Sequence, residues 1–338
     1  MIEGIFWAVF AGIILGLYAL PEKFTKGFNF ENTWGMFFVI SMLLFPFIGS
    51  FIFIEGALEV YRAIPGDVLL KMFISSFLWG IGMMMWGKAI NHIGLSLGFS
   101  LFIGTIILVG SLLPFIVDGL PPTNVLITIL GGIFVVLLGV LANGKAGLLR
   151  SKDEAATNSD GTKKSSMAVG IAIAMVGGLL ATGFSFANAV GRPVIHEASL
   201  AQGNAEWVTA VAVMSVIYFF GGLVTGTYFI WQISKKKMWA AFKTGSLGRN
   251  TGLTTLMAIF NFGASITFAF AAFKLGSAGN TVGYAIYNTM SVAVAGLSGL
   301  IAGEWVKASG KAKLYLYLGL TGMIVGVIII ALGNSVGG

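Results

Sequence analysis

Residues 79–98 read WGIGMMMWGKAINHIGLSLG, an apolar segment rich in glycine that is followed at once by a second apolar run. A related segment, FNFGASITFAFAAFKLGSAG, occupies residues 260–279. When Gly94 is aligned with Gly276, the two segments share the pattern A-x-x-[HK]-[IL]-G-x-[SA]. One copy lies in each half of the chain. This arrangement predicts an internal repeat in which the flexible residues Gly94 and Gly276 are gating hinges.

The composition places the chain in a lipid bilayer. Of its 338 residues, 57% are hydrophobic and 10% are charged, whereas a soluble domain carries about 25% charged residues. Its 48 glycines favour close approach of membrane helices. The chain has no cysteine, which excludes disulfides and thiolate chemistry. We interpret the net charge of +7 as loop charge that sets orientation, and we predict no nucleic-acid partner.

The number of apolar runs predicts the number of membrane spans, because one helical span takes about 20 apolar residues. Ten such runs are present: 4–20, 34–54, 69–90, 95–117, 125–142, 167–189, 208–233, 252–273, 280–302 and 314–332. Pro46 lies inside the second run and predicts a kink there, since proline cannot donate a backbone hydrogen bond.

The loops predict the orientation. Sixteen of the 20 lysines and arginines fall on one side of the predicted spans. Four fall on the other side: Arg62, Lys71, Arg192 and Lys274. By the positive-inside rule the side with sixteen is cytoplasmic. We therefore expect a multi-pass protein of the bacterial cytoplasmic membrane with both termini outside.

Residues 144–166 are rich in Ser, Lys, Asp, Thr and Gly and lack an apolar period, which predicts a flexible cytoplasmic linker. The linker separates two predicted repeats, 1–143 and 167–338, of five spans each. Because five is odd, a duplicated half must insert upside down, as in many secondary transporters. The predicted fold class is an all-α polytopic membrane protein of ten transmembrane helices in two inverted five-helix repeats. Alternating access around a midplane site suits this plan.

Short motifs along the chain are shared with one transporter family. They are GIFW at 4–7, Tyr18–Ala19 with Pro21, WGIG at 79–82, G-x-S-x-G at 94–98, ILVGSLLP at 107–114, SFA at 185–187, Pro193 with HEA at 196–198, and EW at 304–305. Through them the chain resembles the L-rhamnose–proton symporters of the drug/metabolite transporter superfamily. The resemblance implies the fold of that superfamily, with ten spans in two inverted halves, and uptake of a deoxy-sugar with a proton.

Two segments differ from the family pattern. Residues 82–87 read GMMMWG where the family has GNINYG, so Met83 and Met85 replace two amides. Residues 260–264 read FNFGA where the family has MWYLQ, so Asn261 and Ala264 replace an aromatic residue and an amide. These changes favour an alternative function in the same fold, the export or exchange of a different small metabolite.

Enzyme chemistry is not predicted. The chain contains no H-E-x-x-H motif and no P-loop. Its two histidines, His92 and His196, are predicted in loops on opposite sides of the membrane, so we expect no metal site and no cofactor. The predicted partners are a small sugar, a proton and the lipid bilayer, and the chain is expected to function as a monomer.

A sugar site needs aromatic faces for the C–H side of the ring and amides or hydroxyls for its polar groups. The predicted substrate-binding residues are Trp7, Tyr18, Trp79, Trp86, Asn188, Asn261, Tyr284, Tyr287 and Asn288. Trp79 and Asn261 fall opposite each other in the repeat alignment, where an amide could accept from one hydroxyl and donate to the next. Interfacial anchoring remains an alternative for tryptophans, and it is the interpretation for Trp34, Trp207, Trp239 and Trp305.

Proton coupling needs a group that changes charge in a place where charge is unfavourable. The first prediction is the adjacent pair His196 and Glu197, in an outward loop after the sixth span. Glu22, one residue past Pro21, is the next candidate. The alternative for Glu22 is an interfacial ion pair with Lys26, four residues further on.

Overall fold

The apolar runs fold as helices because a backbone in lipid has to satisfy its own hydrogen bonds, and an α-helix does so within one segment. The computed structural model describes residues 2–93, 95–112, 115, 119–157, 167–301, 303 and 305–336. Every regular element in these ranges is helical. The hinge residue Gly94 lies outside the described residues.

Thirteen α-helices are described. They are α1 (Ile2–Leu17), α2 (Phe30–Phe38), α3 (Phe45–Phe53), α4 (Ala57–Arg62), α5 (Gly66–Ile93), α6 (Leu95–Leu112), α7 (Thr123–Thr157), α8 (Met167–Ala181), α9 (Gly183–Ala201), α10 (Glu206–Lys235), α11 (Leu247–Lys274), α12 (Tyr284–Ile301) and α13 (Gly310–Val336). Short 3-10 segments, Leu20–Phe24, Met238–Lys243 and Gly276–Ala278, lie at span ends.

Nine helical segments in the described ranges are long and apolar enough to cross a membrane. They are Ile2–Phe24, Phe30–Phe53, Gly66–Ala89, Thr123–Arg150, Ala168–Ala201, Glu206–Lys235, Leu247–Lys274, Gly279–Ile301 and Gly310–Leu332. The remaining predicted run, 95–117, contains α6, whose apolar part Leu101–Gly110 is shorter. The prediction of an all-α polytopic membrane protein is thus confirmed, with nine candidate spans described.

Two spans are interrupted along their length, and a third, Gly279–Ile301, begins with a π-helix at Gly279–Gly283. Between α2 and α3, Val39–Leu44 forms a π-helix, and Pro46 follows in the first turn of α3. The wider turn accommodates the missing proline N–H, so the helix is interrupted where the kink was predicted. The second change lies between α8 and α9, where Thr182 interrupts the sixth span.

The predicted loop after the sixth span is wrong. Helix α9 continues through Pro193 to Ala201, so His196 and Glu197 lie on a helix. Proline removes one hydrogen bond, but the helix is held by neighbouring helices, because α9 packs against α5 and α10. His92 was also predicted in a loop and lies instead in the last turn of α5.

The predicted start of the flexible linker is also wrong. Helix α7 continues from the membrane span to Thr157, because this stretch is rich in Ala, Leu and Lys and contains no proline. Ala146 is fully buried. The Ser309 backbone N–H donates to Asp153 Oδ2 at 2.9 Å, and this bond holds the pKa of Asp153 below its ordinary value. Residues 158–166 lie outside the described residues.

Helix α10 occupies the middle of the bundle. It packs against α5, α9, α11 and the span formed by α2 and α3. The outer helices expose large apolar side chains instead, as at Ile127, Phe134 and Leu138 of α7. Such side chains are stable in contact with lipid, so their exposure fits a membrane-embedded surface.

Candidate functional site

A cavity of about 360 Å³ lies between α1, α5, α6, α11 and α12, with α10 contributing at its deep end. Trp79 lies at the middle of α5 and Asn261 at the middle of α11, and both line the cavity. The opposite end of the cavity is lined by Glu22, Lys23 and Arg150. The cavity thus extends from the centre of the bundle to a charged end.

Most of the predicted substrate-binding residues line this cavity. They are Tyr18, Trp79, Trp86, Asn261, Tyr284, Tyr287 and Asn288. Trp7 lies outside the cavity, half-buried, with its ring 5.7 Å from that of Phe270. Asn188 also lies outside it, fully buried, and its Nδ2 donates to Asn280 Oδ1 at 2.7 Å. Both residues therefore connect helices.

Two tryptophans interpreted as interfacial anchors line the cavity instead. Trp34 is 4% exposed and Trp305 is 7% exposed. The Trp34 Nε1–H group donates to Glu22 Oε1 at 2.7 Å. A position near a span end predicted the anchor, but the 3-10 turn after α1 brings Glu22 back toward α2, which buries the indole.

The aromatic wall of the cavity surrounds Trp79. Its ring centroid lies 5.1 Å from that of Tyr218 on α10 and 5.2 Å from that of Phe184 on α9. Neither Tyr218 nor Phe184 was predicted from the sequence. For Tyr218 a signal exists, because a tyrosine in the middle of a long apolar run carries a hydroxyl that needs a partner inside the bundle. Met83 continues this wall with an apolar side chain.

A chain of hydrogen bonds crosses the deep end of the cavity and joins four spans. Ser41 Oγ donates to Asn261 Oδ1 at 2.9 Å, and Tyr218 Oη donates to the same oxygen at 3.0 Å. Tyr218 Oη is 2.6 Å from Ser265 Oγ, which is 3.2 Å from Tyr287 Oη. Ser41 and Ser265 were not predicted, because isolated serines in apolar runs carry no sequence signal.

Among the described residues that line the cavity, Glu22 is the one carboxylate. Its bond to Trp34 replaces the ion pair with Lys26 that was the structural alternative. The Lys26 backbone N–H donates to Asn250 Oδ1 at 3.0 Å, which ties the turn after Glu22 to α11. Glu22 is therefore placed where a proton could be gained or lost in contact with the contents of the cavity.

The pair His196 and Glu197 lies away from the cavity. The His196 ring is half-buried, with Nδ1 at 3.1 Å from Thr209 Oγ1 and its centroid 4.6 Å from the Phe273 ring. Glu197 is exposed. The structure does not bring this pair together with the predicted substrate-binding residues, and its role in proton coupling stays a prediction.

The end of α11 beyond the cavity is tied to its neighbours. Arg192 of α9 donates from Nη1 to the Ala272 carbonyl at 2.7 Å and from Nη2 to the Gly276 carbonyl at 3.3 Å. Lys274 Nζ lies 3.2 Å from Glu206 Oε2 of α10. None of these residues lines the cavity. The predicted hinge Gly276 thus lies outside the cavity, at an end of α11 that is bonded to α9.

The arrangement offers binding and a proton-exchanging group. Aromatic and apolar side chains face hydrogen-bonding amides and hydroxyls across one cavity, as in sites for small polar ligands with an apolar face. In the part of the chain that the structure describes, no cluster of three His, Cys, Asp or Glu residues could hold a metal ion.

Comparisons with known proteins point to one family. A family model described as L-rhamnose-proton symport protein matches residues 1–336. An L-rhamnose-proton symporter of Cronobacter sakazakii is 25% identical over 98% of this chain and 97% of that protein. The L-rhamnose-proton symporter of Citrobacter koseri is 25% identical over 98% of each chain. That of Salmonella paratyphi A is 26% identical over 98% of each chain.

These findings confirm the resemblance seen in the sequence motifs. The family is one of transporters, which confirms that the chain is not an enzyme. Its bacterial relatives and the nine apolar helices indicate a multi-pass protein of the inner membrane. Because the match extends over nearly the whole chain, the chain belongs to the L-rhamnose-proton symport protein family.

Proposed function

We propose that the chain imports L-rhamnose or a related monosaccharide together with a proton. The observation that carries this proposal is the cavity itself. In a member of a sugar–proton symport family, it combines an aromatic wall at Trp79, an amide at Asn261 and a carboxylate at Glu22. An indole face suits the C–H side of a sugar ring, and amides and hydroxyls suit its hydroxyl groups.

Glu22 is proposed as the proton-carrying group, ahead of His196 and Glu197. It lines the cavity, whereas the other two do not. Protonation would remove the negative charge that accepts the Trp34 N–H bond, so the state of Glu22 is coupled to a wall of the site. The pair on α9 remains the alternative proton site and enters the test below.

A second function is favoured by one observation. Met83, which stands where the family pattern has an amide, lines the cavity and makes its wall more apolar. A less hydroxylated metabolite would suit that wall, with export or exchange in place of import. Met85 and Ala264, the other replaced amides, are not among the cavity-lining residues.

The contacts between helices support two inverted repeats, 1–143 and 167–338, with α6 as the fourth of ten spans. We take α1, α2–α3, α5, α6 and α7 as one half and α8–α9, α10, α11, α12 and α13 as the other. Helix α1 packs against α11 and α12, as α8 packs against α5 and α6. Helix α5 packs against α10, as α11 packs against α2. Helix α6 packs against α7, as α12 packs against α13.

Alternating access follows from the two unlike ends of the cavity. The end lined by Lys23 and Arg150 is taken as cytoplasmic by the positive-inside rule, with both termini outside. The end tied by Arg192 is then the closed outer end. Function as a monomer stays a prediction.

The sugar site is tested by direct titration calorimetry of the purified protein with L-rhamnose. Trp79→Ala should weaken binding by roughly 1–3 kcal/mol, because the packed face is left empty. The dissociation constant should then rise by a factor between about 5 and about 100.

The matched control is Trp239→Ala, an exposed tryptophan outside the cavity, which should bind like the wild type. If the wild-type protein binds no L-rhamnose but binds a less polar metabolite, the second function is correct.

The proton site is tested by uptake into proteoliposomes with and without a pH gradient. Glu22→Gln keeps the shape of the side chain and its acceptor for Trp34 but cannot ionise. We expect L-rhamnose binding to persist and accumulation driven by the gradient to be lost. Glu197→Gln is the matched control and should respond to the gradient like the wild type. The opposite pattern would move the proton site to the pair on α9.

A further inference from the structure

We infer that Asn261 presents its amide N–H groups, and not its carbonyl oxygen, to the substrate, and that Ser41 and Tyr218 are positioning residues that fix this orientation. The inference rests on the proposed sugar site. It specifies which kind of group the substrate has to offer at the deep end of the cavity.

Two hydroxyls of the protein occupy Asn261 Oδ1. An amide oxygen has two lone pairs. One accepts from Ser41 Oγ at 2.9 Å and the other from Tyr218 Oη at 3.0 Å. The sequence suggested that this amide could also accept from a substrate hydroxyl. With both lone pairs engaged by the protein, that role is no longer open.

The bond from Tyr218 runs in one direction. Its hydroxyl lies 3.0 Å from Asn261 Oδ1 and 3.2 Å from the Asn261 backbone carbonyl. A backbone carbonyl can only accept, so the single Tyr218 proton lies between two acceptor oxygens of one residue. The structure places Oδ1, and not Nδ2, as the side-chain atom of Asn261 that faces this hydroxyl.

The remaining hydroxyl protons, those of Ser265 and Tyr287, are directed along the same series of hydrogen bonds. Because the Tyr218 proton is directed at Asn261, the close contact of 2.6 Å requires Ser265 to donate to Tyr218. Ser265 then accepts from Tyr287 at 3.2 Å. Each hydroxyl donates once, and the chain ends at Asn261 Oδ1.

The direction of these hydrogen bonds decides which substrate groups have to accept and which have to donate. Asn261 lines the cavity, and no described side chain or carbonyl accepts from its Nδ2. The substrate oxygen opposite Asn261 therefore acts as an acceptor. Tyr287 also lines the cavity, and because its proton is used by Ser265, its oxygen is left to accept from a substrate hydroxyl.

The test uses L-rhamnose analogues in which one hydroxyl at a time is replaced by fluorine or by hydrogen. Fluorine can accept weakly but cannot donate, and hydrogen can do neither. At one ring position the fluoro analogue should bind wild-type protein within a few-fold of L-rhamnose, while the deoxy analogue loses about tenfold or more.

Two variants test the role of the positioning residues. Asn261→Asp replaces the amide N–H donor by a second carboxylate oxygen, which can only accept. The fluoro analogue at that position should then bind no better than the deoxy analogue. L-rhamnose should still bind, because its hydroxyl can donate to the carboxylate. Tyr218→Phe frees the amide to rotate, so the discrimination between fluoro and deoxy analogues should shrink. The matched control is Tyr61→Phe, which removes a hydroxyl that also lies 2.6 Å from a serine, Ser50, but outside the cavity. It should leave the profile unchanged.

Two results would overturn the inference, and they are distinguishable. If wild-type protein binds L-rhamnose but rejects fluoro and deoxy analogues equally at every position, Asn261 presents its carbonyl and the sugar site itself stands. If L-rhamnose does not bind at all, the proposed function fails and the inference fails with it.

Discussion

Gly276 adopts a backbone φ of +61°, in the left-handed region that favours glycine. A Cβ atom built at this position meets nothing within 4 Å, so close packing is not the reason for the glycine. The conformation ends α11 and turns the Gly276 carbonyl toward Arg192. The requirement at this residue is therefore a backbone angle.

If the backbone angle at Gly276 matters and the space around it does not, different side chains at this position should have different effects. Gly276→Val should lower both uptake and thermal stability, because a β-branched residue in the left-handed region is strained by about 1–2 kcal/mol. Gly276→Asn should remain close to the wild type in uptake assays and thermal unfolding, since asparagine tolerates that region. Equal loss in both variants would mean that the space around Gly276, in another state of the protein, is what matters.

At the scale of elements, helices α7 and α13 approach each other more closely than side chains allow. A Cβ on Gly139 would lie 2.7 Å from the Met323 backbone nitrogen and 2.8 Å from the Gly319 carbonyl. A Cβ on Gly319 would lie 2.8 Å from the Gly139 carbonyl. Backbone atoms cannot move aside as a flexible side chain can, so small residues fix this contact.

The pair predicts that Gly139→Ala destabilises the protein by about 1–3 kcal/mol through overpacking, even though alanine is the better helix former. Thermal unfolding in detergent measures the effect. Gly131→Ala is the matched control on the same helix, because its Cβ meets nothing within 4 Å. It should be neutral or stabilising, and an equal loss of stability in both variants would mean that the close approach of Gly139 to α13 is not the cause.

At the scale of the whole molecule, we propose that the two bonds from Arg192 close the bundle beyond the deep end of the cavity, on the side proposed as outer. Charge-assisted hydrogen bonds contribute about 1.5–3 kcal/mol each, so removing two should shift the opening equilibrium about tenfold or more. The chain has no cysteine, which allows one to be introduced as a probe. We expect Ala181→Cys, in the cavity wall, to react with an external impermeant maleimide in intact cells only when Arg192→Gln is also present.

Two controls belong to that experiment. Arg62→Gln changes an exposed arginine on α4 and should not open the cavity to the reagent. Ser298→Cys lies at the end of α12 and lines the cavity, so it should react in inside-out vesicles and not in intact cells. Reaction of Ser298→Cys in intact cells would reverse the proposed orientation of the chain.

The sequence by itself determined the class of the protein and the family. Length, apolar runs and charge depletion are local properties, and they predict membrane helices because lipid leaves the backbone no other partner. The short motifs identified the family. Aligning the two glycine-rich segments also placed Trp79 and Asn261 correctly at the middles of α5 and α11.

Only the tertiary structure decided which side chains meet. The bond from Ser41 to Asn261 joins residues 220 positions apart, and nothing in either apolar run marks the serine. Trp34 was interpreted as an anchor because it lies near a span end. Its burial could not be predicted, since it depends on Glu22 being folded back across the end of the span. The limit of α9 was missed for the same reason, since contacts with other helices extended it past Pro193. Periodicity in a sequence reports which residues avoid water, whereas a polar site inside a bundle is set by the packing of helices distant in sequence.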